Sequence, residues 1–268
     1  MSSPLQATSK SGLMVAGGGQ MTAITAGGFP ARPGQDRTGF LIFTGLVWLG
    51  VLSGFGTDSV DHVSKHGLDY PLIVHFHAVA FVGWLVLFTT QVALIRNGRA
   101  DLHRRLGVVG AVLAGVMTVL GPTTAVIVDA GVYAKTGHTP EFLAVQLTDI
   151  LAFATLTGSG LLLRGTPSAH KRLMMLGLIY ISDAGFARFV NVQAAAPLGN
   201  GLLGEAVQLY LGSDLVMLAV GAYDFVTRRR LHPVYVAGAA WMIAVEVLAV
   251  ILLHSPAWKA VALHLIGH

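Results

Sequence analysis

Apolar residues along this chain gather into long, nearly unbroken runs. They do not form the alternation of a half-buried strand or the narrow stripe of a surface helix. A hydrocarbon layer about 30 Å thick takes about 20 apolar residues in a helix. Seven runs reach that length: 38–56, 71–95, 106–129, 142–163, 172–192, 206–227 and 234–254. None repeats with a period of two, which argues against a transmembrane β-barrel. The pattern predicts an all-α fold, a seven-transmembrane-helix bundle over residues 38–254. Residues 1–37 are rich in Gly, Ser, Ala and Thr, with Gly17, Gly18 and Gly19 in a row and Pro30 and Pro33 following. They read as a mobile tail, not a signal peptide, with Met14 and Met21 as alternative starts. Residues 255–268 are short and amphipathic, with Trp258 near their start, and read as an interfacial segment.

Composition sharpens this picture. Only 11% of residues are charged, 54% are hydrophobic and mean hydropathy is +0.68. Soluble domains carry roughly 25% charged residues. Too few charges remain here to cover a soluble surface, which excludes a cytosolic enzyme, a nucleic-acid binder and a disordered chain. The absence of cysteine removes disulfides, thiolate metal sites and a thiol nucleophile.

The basic residues orient the bundle. Arg96, Arg99, Arg104 and Arg105 sit between runs two and three. Arg164, Lys171 and Arg172 sit between four and five, and Arg228, Arg229 and Arg230 between six and seven. With Lys10, Arg32 and Arg37 in the tail, thirteen of the 17 basic residues fall on one side, against Lys65, Lys135 and Lys259 on the other. The N-terminus is therefore expected in the cytoplasm and the C-terminus outside. The pI near 9.6 is then a topology signal and not a nucleic-acid patch. Arg104, Arg105, Lys171 and Arg172 are placed to meet anionic lipid headgroups. His103, His170 and His232 open the runs that follow these loops, so the hairpins two–three, four–five and six–seven resemble one another. Short connections predict antiparallel neighbours. Each of these histidines reads first as a helix cap or headgroup contact.

Ionisable groups inside spans are costly and usually face the bundle interior. His75 and His77 lie early in the second run, Gln146 and Asp149 about one turn apart in the fourth, and Asp183, Arg188 and Asn191 in the fifth. Gln208, Ser213 and Asp214 lie in the sixth run, and Glu246 in the seventh. Most fall in the outer half. They predict an outward-facing polar pocket formed by His75, His77, Asp149, Asp183, Arg188, Asp214 and Glu246. Four carboxylates against one arginine cannot all be ionised in a dry interior, so some are protonated, cation-bound or hydrated. A purely structural arrangement, with Arg188 paired to Asp183 or Asp214, competes with a functional pocket. His75 and His77 are about 200° apart around a helix. One of them is then the candidate ligand or base, with His77 favoured because it sits deeper.

Three functions fit. The pocket binds a small ligand or a metal, with imidazole and carboxylate donors suited to iron, zinc or manganese. A haem b or a divalent metal on His75 or His77, with a partner such as His254, would supply membrane-linked redox chemistry and electron transport. Alternatively the buried acids serve a proton-coupled transporter, or the chain is an accessory or assembly subunit whose 33 glycines allow close helix contacts with other membrane subunits. No Walker loop, dinucleotide fingerprint, zinc-protease motif or nucleophile elbow is present.

Four segments carry a resemblance: His77-Ala-Val-Ala-Phe-Val-Gly-Trp84, Leu102-His-Arg-Arg-Leu-Gly107, His170-Lys-Arg-Leu-Met174 and Tyr223-Asp-Phe-Val-Thr-Arg-Arg-Arg-Leu-His-Pro233. Together they resemble a family of uncharacterised bacterial seven-span membrane proteins over roughly residues 40–265. More loosely, they are similar to cytochrome b561-like bundles. The resemblance implies a multi-pass protein of the bacterial inner membrane. It draws attention to His77, His103, His170, Asp224 and His232, and implies no particular reaction.

Overall fold

A computed structural model describes residues 29, 33–199 and 201–268. Most of the expected tail therefore lies outside the described residues. Residues 33–37, expected as its end, instead open the first helix. Among the described residues, ten α-helices follow in order: α1 (Pro33–His66), α2 (Leu72–Arg96), α3 (Ala100–Thr136), α4 (Leu143–Leu162), α5 (Pro167–Ile181), α6 (Asp183–Arg188), α7 (Val190–Ala195), α8 (Leu202–Arg228), α9 (Pro233–Leu253) and α10 (Pro256–Leu265). A single 3₁₀ turn, Ala196–Leu198, follows α7. No strand occurs among the described residues.

The protein is a multi-pass membrane protein. Among the described residues, six helices (α1–α4, α8 and α9) are long and apolar enough to cross a bilayer, and a bent run over α5–α7 makes up to a seventh. Local chemistry sets the helix ends. Proline in the first turn starts α5, α9 and α10, where its missing N–H costs nothing. Gly137, at φ 70°, closes α3 by donating its N–H to the Tyr133 carbonyl. α1 and α3 run 34 and 37 residues. Their polar end turns carry the helix well beyond the apolar runs of the sequence. Pro122 lies inside α3 without ending it, as neighbouring helices permit in a membrane bundle.

α2–α3, α4–α5 and α8–α9 pack as antiparallel neighbours, as the short loops predict. α5 is the central helix: nine of its 15 residues are buried, from Ala169 to Tyr180. α1 packs against α2, α6 and α8, while α4 is flanked by α3, α5 and α9. The aromatic centre includes Trp84 and Phe153, edge-to-face at 5.4 Å. Trp48 bridges α1 to α2 through a 2.9 Å hydrogen bond from its indole to Thr89. Large apolar side chains such as Leu49, Val79, Val108 and Val119 stay exposed around the outside, the inverse of a soluble surface and the expected face toward lipid.

One feature departs from the sequence reading. The fifth apolar run is not one continuous helix. It breaks at Ser182 and bends by 63° at Phe189. Neither residue is a proline or glycine. The interruption brings the carboxyl-bearing Asp183 to the start of α6, where its Oδ1 accepts the Ala184 N–H. Asn191 on α7 then ties the bent segment to α8. Its Nδ2 donates to the Leu209 carbonyl (3.1 Å), and its Oδ1 accepts the Gly212 N–H (2.9 Å). α10 folds back over the α3–α4 turn, with the Trp258 indole donating to the Glu141 carbonyl and Lys259 paired to the Glu141 carboxylate.

Candidate functional site

Among the described residues, most charged side chains inside the bundle form two groups, one at each end. The first lies where α1, α5 and α9 begin and α8 ends. Arg172 on α5 is wholly buried. Its Nε and Nη2 donate to both oxygens of Asp224 on α8, at 2.6 and 2.5 Å, and its Nη1 donates to the Ser168 carbonyl at 2.6 Å. Arg228, one turn beyond Asp224, donates to the same carboxylate at 3.3 Å and also to Asp36 on α1. Lys171 and the Tyr223 hydroxyl donate to Asp36 as well. Two carboxylates and three cations are thus joined across α1, α5 and α8. The Phe29 ring lies over Arg172, Arg228 and Arg230 at 4.5, 5.2 and 5.2 Å.

This corrects part of the headgroup expectation. Arg104 and Arg105 are exposed on the outside of α3. Lys171 and Arg172 turn inward and are spent on Asp36 and Asp224. Their carboxylate partners are 135 and 52 positions away, so nothing local in the sequence announced them.

His232 belongs to the same end. Its Nδ1 accepts the Val234 N–H, capping α9, and its Nε2 lies 3.3 Å from the Ser168 hydroxyl. Burial, then the positive field of Arg172, hold this imidazole down at about pKa 4, against an ordinary 6.5. Because the folded value is depressed, the unfolded chain binds the extra proton between those two pH values. Stability from this group is complete above about pH 6.5 and is lost as pH falls toward 4, by of order 2 kcal/mol. An NMR titration should find the His232 ring still neutral at pH 5.5. A midpoint near 6.5 would mean the ring is solvated and the cap geometry wrong.

The second group sits toward the other end and holds all four expected acids. Asp149 on α4 lies within hydrogen-bonding reach of Asp183 at the start of α6. Asp214 on α8 lies within the same reach of Glu246 on α9. In each pair one partner is buried (Asp183, Glu246) and the other is half-buried (Asp149, Asp214). Asp149 Oδ1, Asp214 Oδ1 and Glu246 Oε1 are buried and receive no hydrogen bond from any donor among the described residues. The buried Tyr180 and Tyr210, whose rings are 6.3 Å apart, also carry unpartnered hydroxyls. Among the described residues, no lysine or arginine forms an ion pair with any of the four acids.

The remaining expected pocket residues do not join this group. The Arg188 guanidinium turns to Asp58 on α1 (3.5 Å) and over the Phe55 ring (4.3 Å); it forms no ion pair with Asp183 or Asp214, although its charge still acts on Asp183. His75 lies near the Pro71 carbonyl at the start of α2. His77 stacks on Phe81 at 4.0 Å, with an unpartnered Nδ1. His254 pairs with Glu205 at 3.0 Å. Among the described residues, no group of three or more His, Asp or Glu side chains is placed to hold a metal ion. Two apolar surface grooves lie on the flanks of α4–α5–α9 and of α3. Neither includes an acid.

Sequence reasoning found the four acids but missed Asp36, Tyr180, Tyr210 and Tyr223. The one available signal for Asp36 was a lone carboxylate in a strongly basic flank. Tyrosines inside apolar runs give no such signal. Compared with protein-family models, with curated proteins and with solved structures, the chain matches none of them.

Proposed function

We propose that this chain is a seven-span protein of a bacterial inner membrane, N-terminus in the cytoplasm and C-terminus outside. In this reading it binds a small ligand at the four-acid cluster in exchange for protons. The observation that carries the reading is the cluster itself: two pairs of neighbouring carboxyl groups, one member of each pair buried, with no lysine or arginine ion-paired to them among the described residues. Two such groups are held together only by a proton on one of them or by a cation between them. Exchange of one for the other is the chemistry of proton-coupled binding and transport.

The course of the chain supports the seventh crossing. α5 begins beside Asp36 and His232, at the end where the basic loops lie. α6 and α7 reach Asp58 and the outer part of α8. The charges at the inner end are paired with one another, while Asp149 and Asp214 are half-buried, and this supports access from outside. A haem or metal centre has less support, because the histidines lie apart from the acids.

Infrared spectroscopy of the protein in lipid tests the reading. Asp183→Asn and Glu246→Gln should each remove a carboxylic-acid carbonyl band that the wild type shows. If neither band exists, the pairs hold no protons and the reading fails.

A further inference from the structure

The unpartnered groups around the acids say what the site takes. Those on the acids and on the two tyrosines are acceptors or hydroxyls: an oxygen each on Asp149, Asp214 and Glu246, and the phenols of Tyr180 and Tyr210. Unpartnered buried polar atoms are rare and call for a partner. The two tyrosines are at least 98% buried, and both hydroxyls lie in the field of Asp149, Asp183 and Glu246. The missing partner is therefore a hydrogen-bond donor carrying positive charge. The acids do not converge on one point in the way a bare metal ion needs. They are spread over α4, α6, α8 and α9 as two separate pairs, which suits a longer molecule with N–H donors at more than one place.

We propose that the cluster binds a small organic primary ammonium, best a diammonium, entering from the outer end. This rests on the proton-exchange reading above and names its ligand class. Half-buried Asp149 and Asp214 meet the ligand first, and Asp183 and Glu246 hold it deeper. At each pair the exchange balances. The shared proton leaves to the outer water, the ammonium takes its place between the two carboxylates, and the charge of the pair is unchanged. Because the ammonium takes over the charge of the proton it displaces, the exchange buries no additional net charge. The phenols accept N–H bonds, and their ring faces favour the cation.

The test uses the full chain in mild detergent, in weak buffer, with 1,4-diaminobutane as probe and calorimetry plus a pH dye as readouts. Saturable binding with proton release is expected, weakened about thirtyfold or more by Asp214→Asn. Tyr210→Phe, which removes only a hydroxyl, should weaken binding several-fold and leaves the helix packing in place should the Asn variant fold poorly. Tetramethylammonium, which has no N–H, and calcium should not bind. Equal binding of the diamine by wild type and both variants, or equal binding of tetramethylammonium or calcium by the wild type, overturns the proposal. If the diamine does not bind while the infrared carboxyl bands are present, the ligand class is wrong and the proton reading stands. If the bands are absent too, both fall.

Discussion

Arg172→Met should destabilise this protein by about 3–5 kcal/mol, more than any single change among the outer acids. The arginine is wholly buried, and its two-pronged bond to Asp224 satisfies a carboxylate that is itself 1% exposed. Removing the cation leaves that charge in a dry interior, with only the more distant Arg228 at 3.3 Å. The double change Arg172→Met, Asp224→Leu should recover most of the loss, since replacing a whole buried pair by apolar groups is often neutral. Arg188→Ala is the contrast. Its partner Asp58 has a side chain 62% exposed, so the pair is worth about 1 kcal/mol or less. Urea unfolding in mild detergent checks all three. Equal losses for Arg172→Met and Arg188→Ala would mean that the inner charges are solvated.

Gly54→Leu should cost about 3 kcal/mol or more and pull α1 away from α6. Even a Cβ at position 54 would stand 1.9 Å from the Gly185 carbonyl oxygen, a backbone atom that no rotamer change can move aside. The same crossing is tight from the other side, where a Cβ on Gly185 would come within 2.8 Å of the Val51 Cα. Phe186 fills the neighbouring space between Gly50 and Gly212, each of which has no room for a methyl group. The crossing therefore holds the broken segment, and with it Asp183, against α1 and α8. Gly45→Leu on the same helix meets nothing within 4 Å at its Cβ and should be nearly neutral. Thermal unfolding of the two variants side by side separates the cases. Similar midpoints would show that α1 and α6 do not touch.

The long helices were legible because the cost of unpaired backbone in hydrocarbon forces apolar runs into helices, whatever surrounds them. The same reasoning placed Asp149, Asp183, Asp214 and Glu246 inside, since charges in apolar runs avoid lipid. It could not show which acid meets which, because their separations of 34 and 32 positions in the chain carry no geometric information. The bend at Phe189 was also invisible. Residues 172–192 read as one span, and no proline marks the place where the helix turns aside to reach α8.

The fate of each positive charge shows the division most clearly. By itself the sequence determined the helical class, the length and number of the apolar runs and the basic bias of one set of loops, all consequences of local composition and period. Only the tertiary structure decided that Arg172 faces Asp224 and not a headgroup, that Arg188 leaves the acids for Asp58, and that the four carboxyls close on one another in pairs. The reason is that a side chain's partner depends on how helices rotate and cross. That is settled by packing at glycines such as Gly54 and Gly185, far from the charges whose partners it selects.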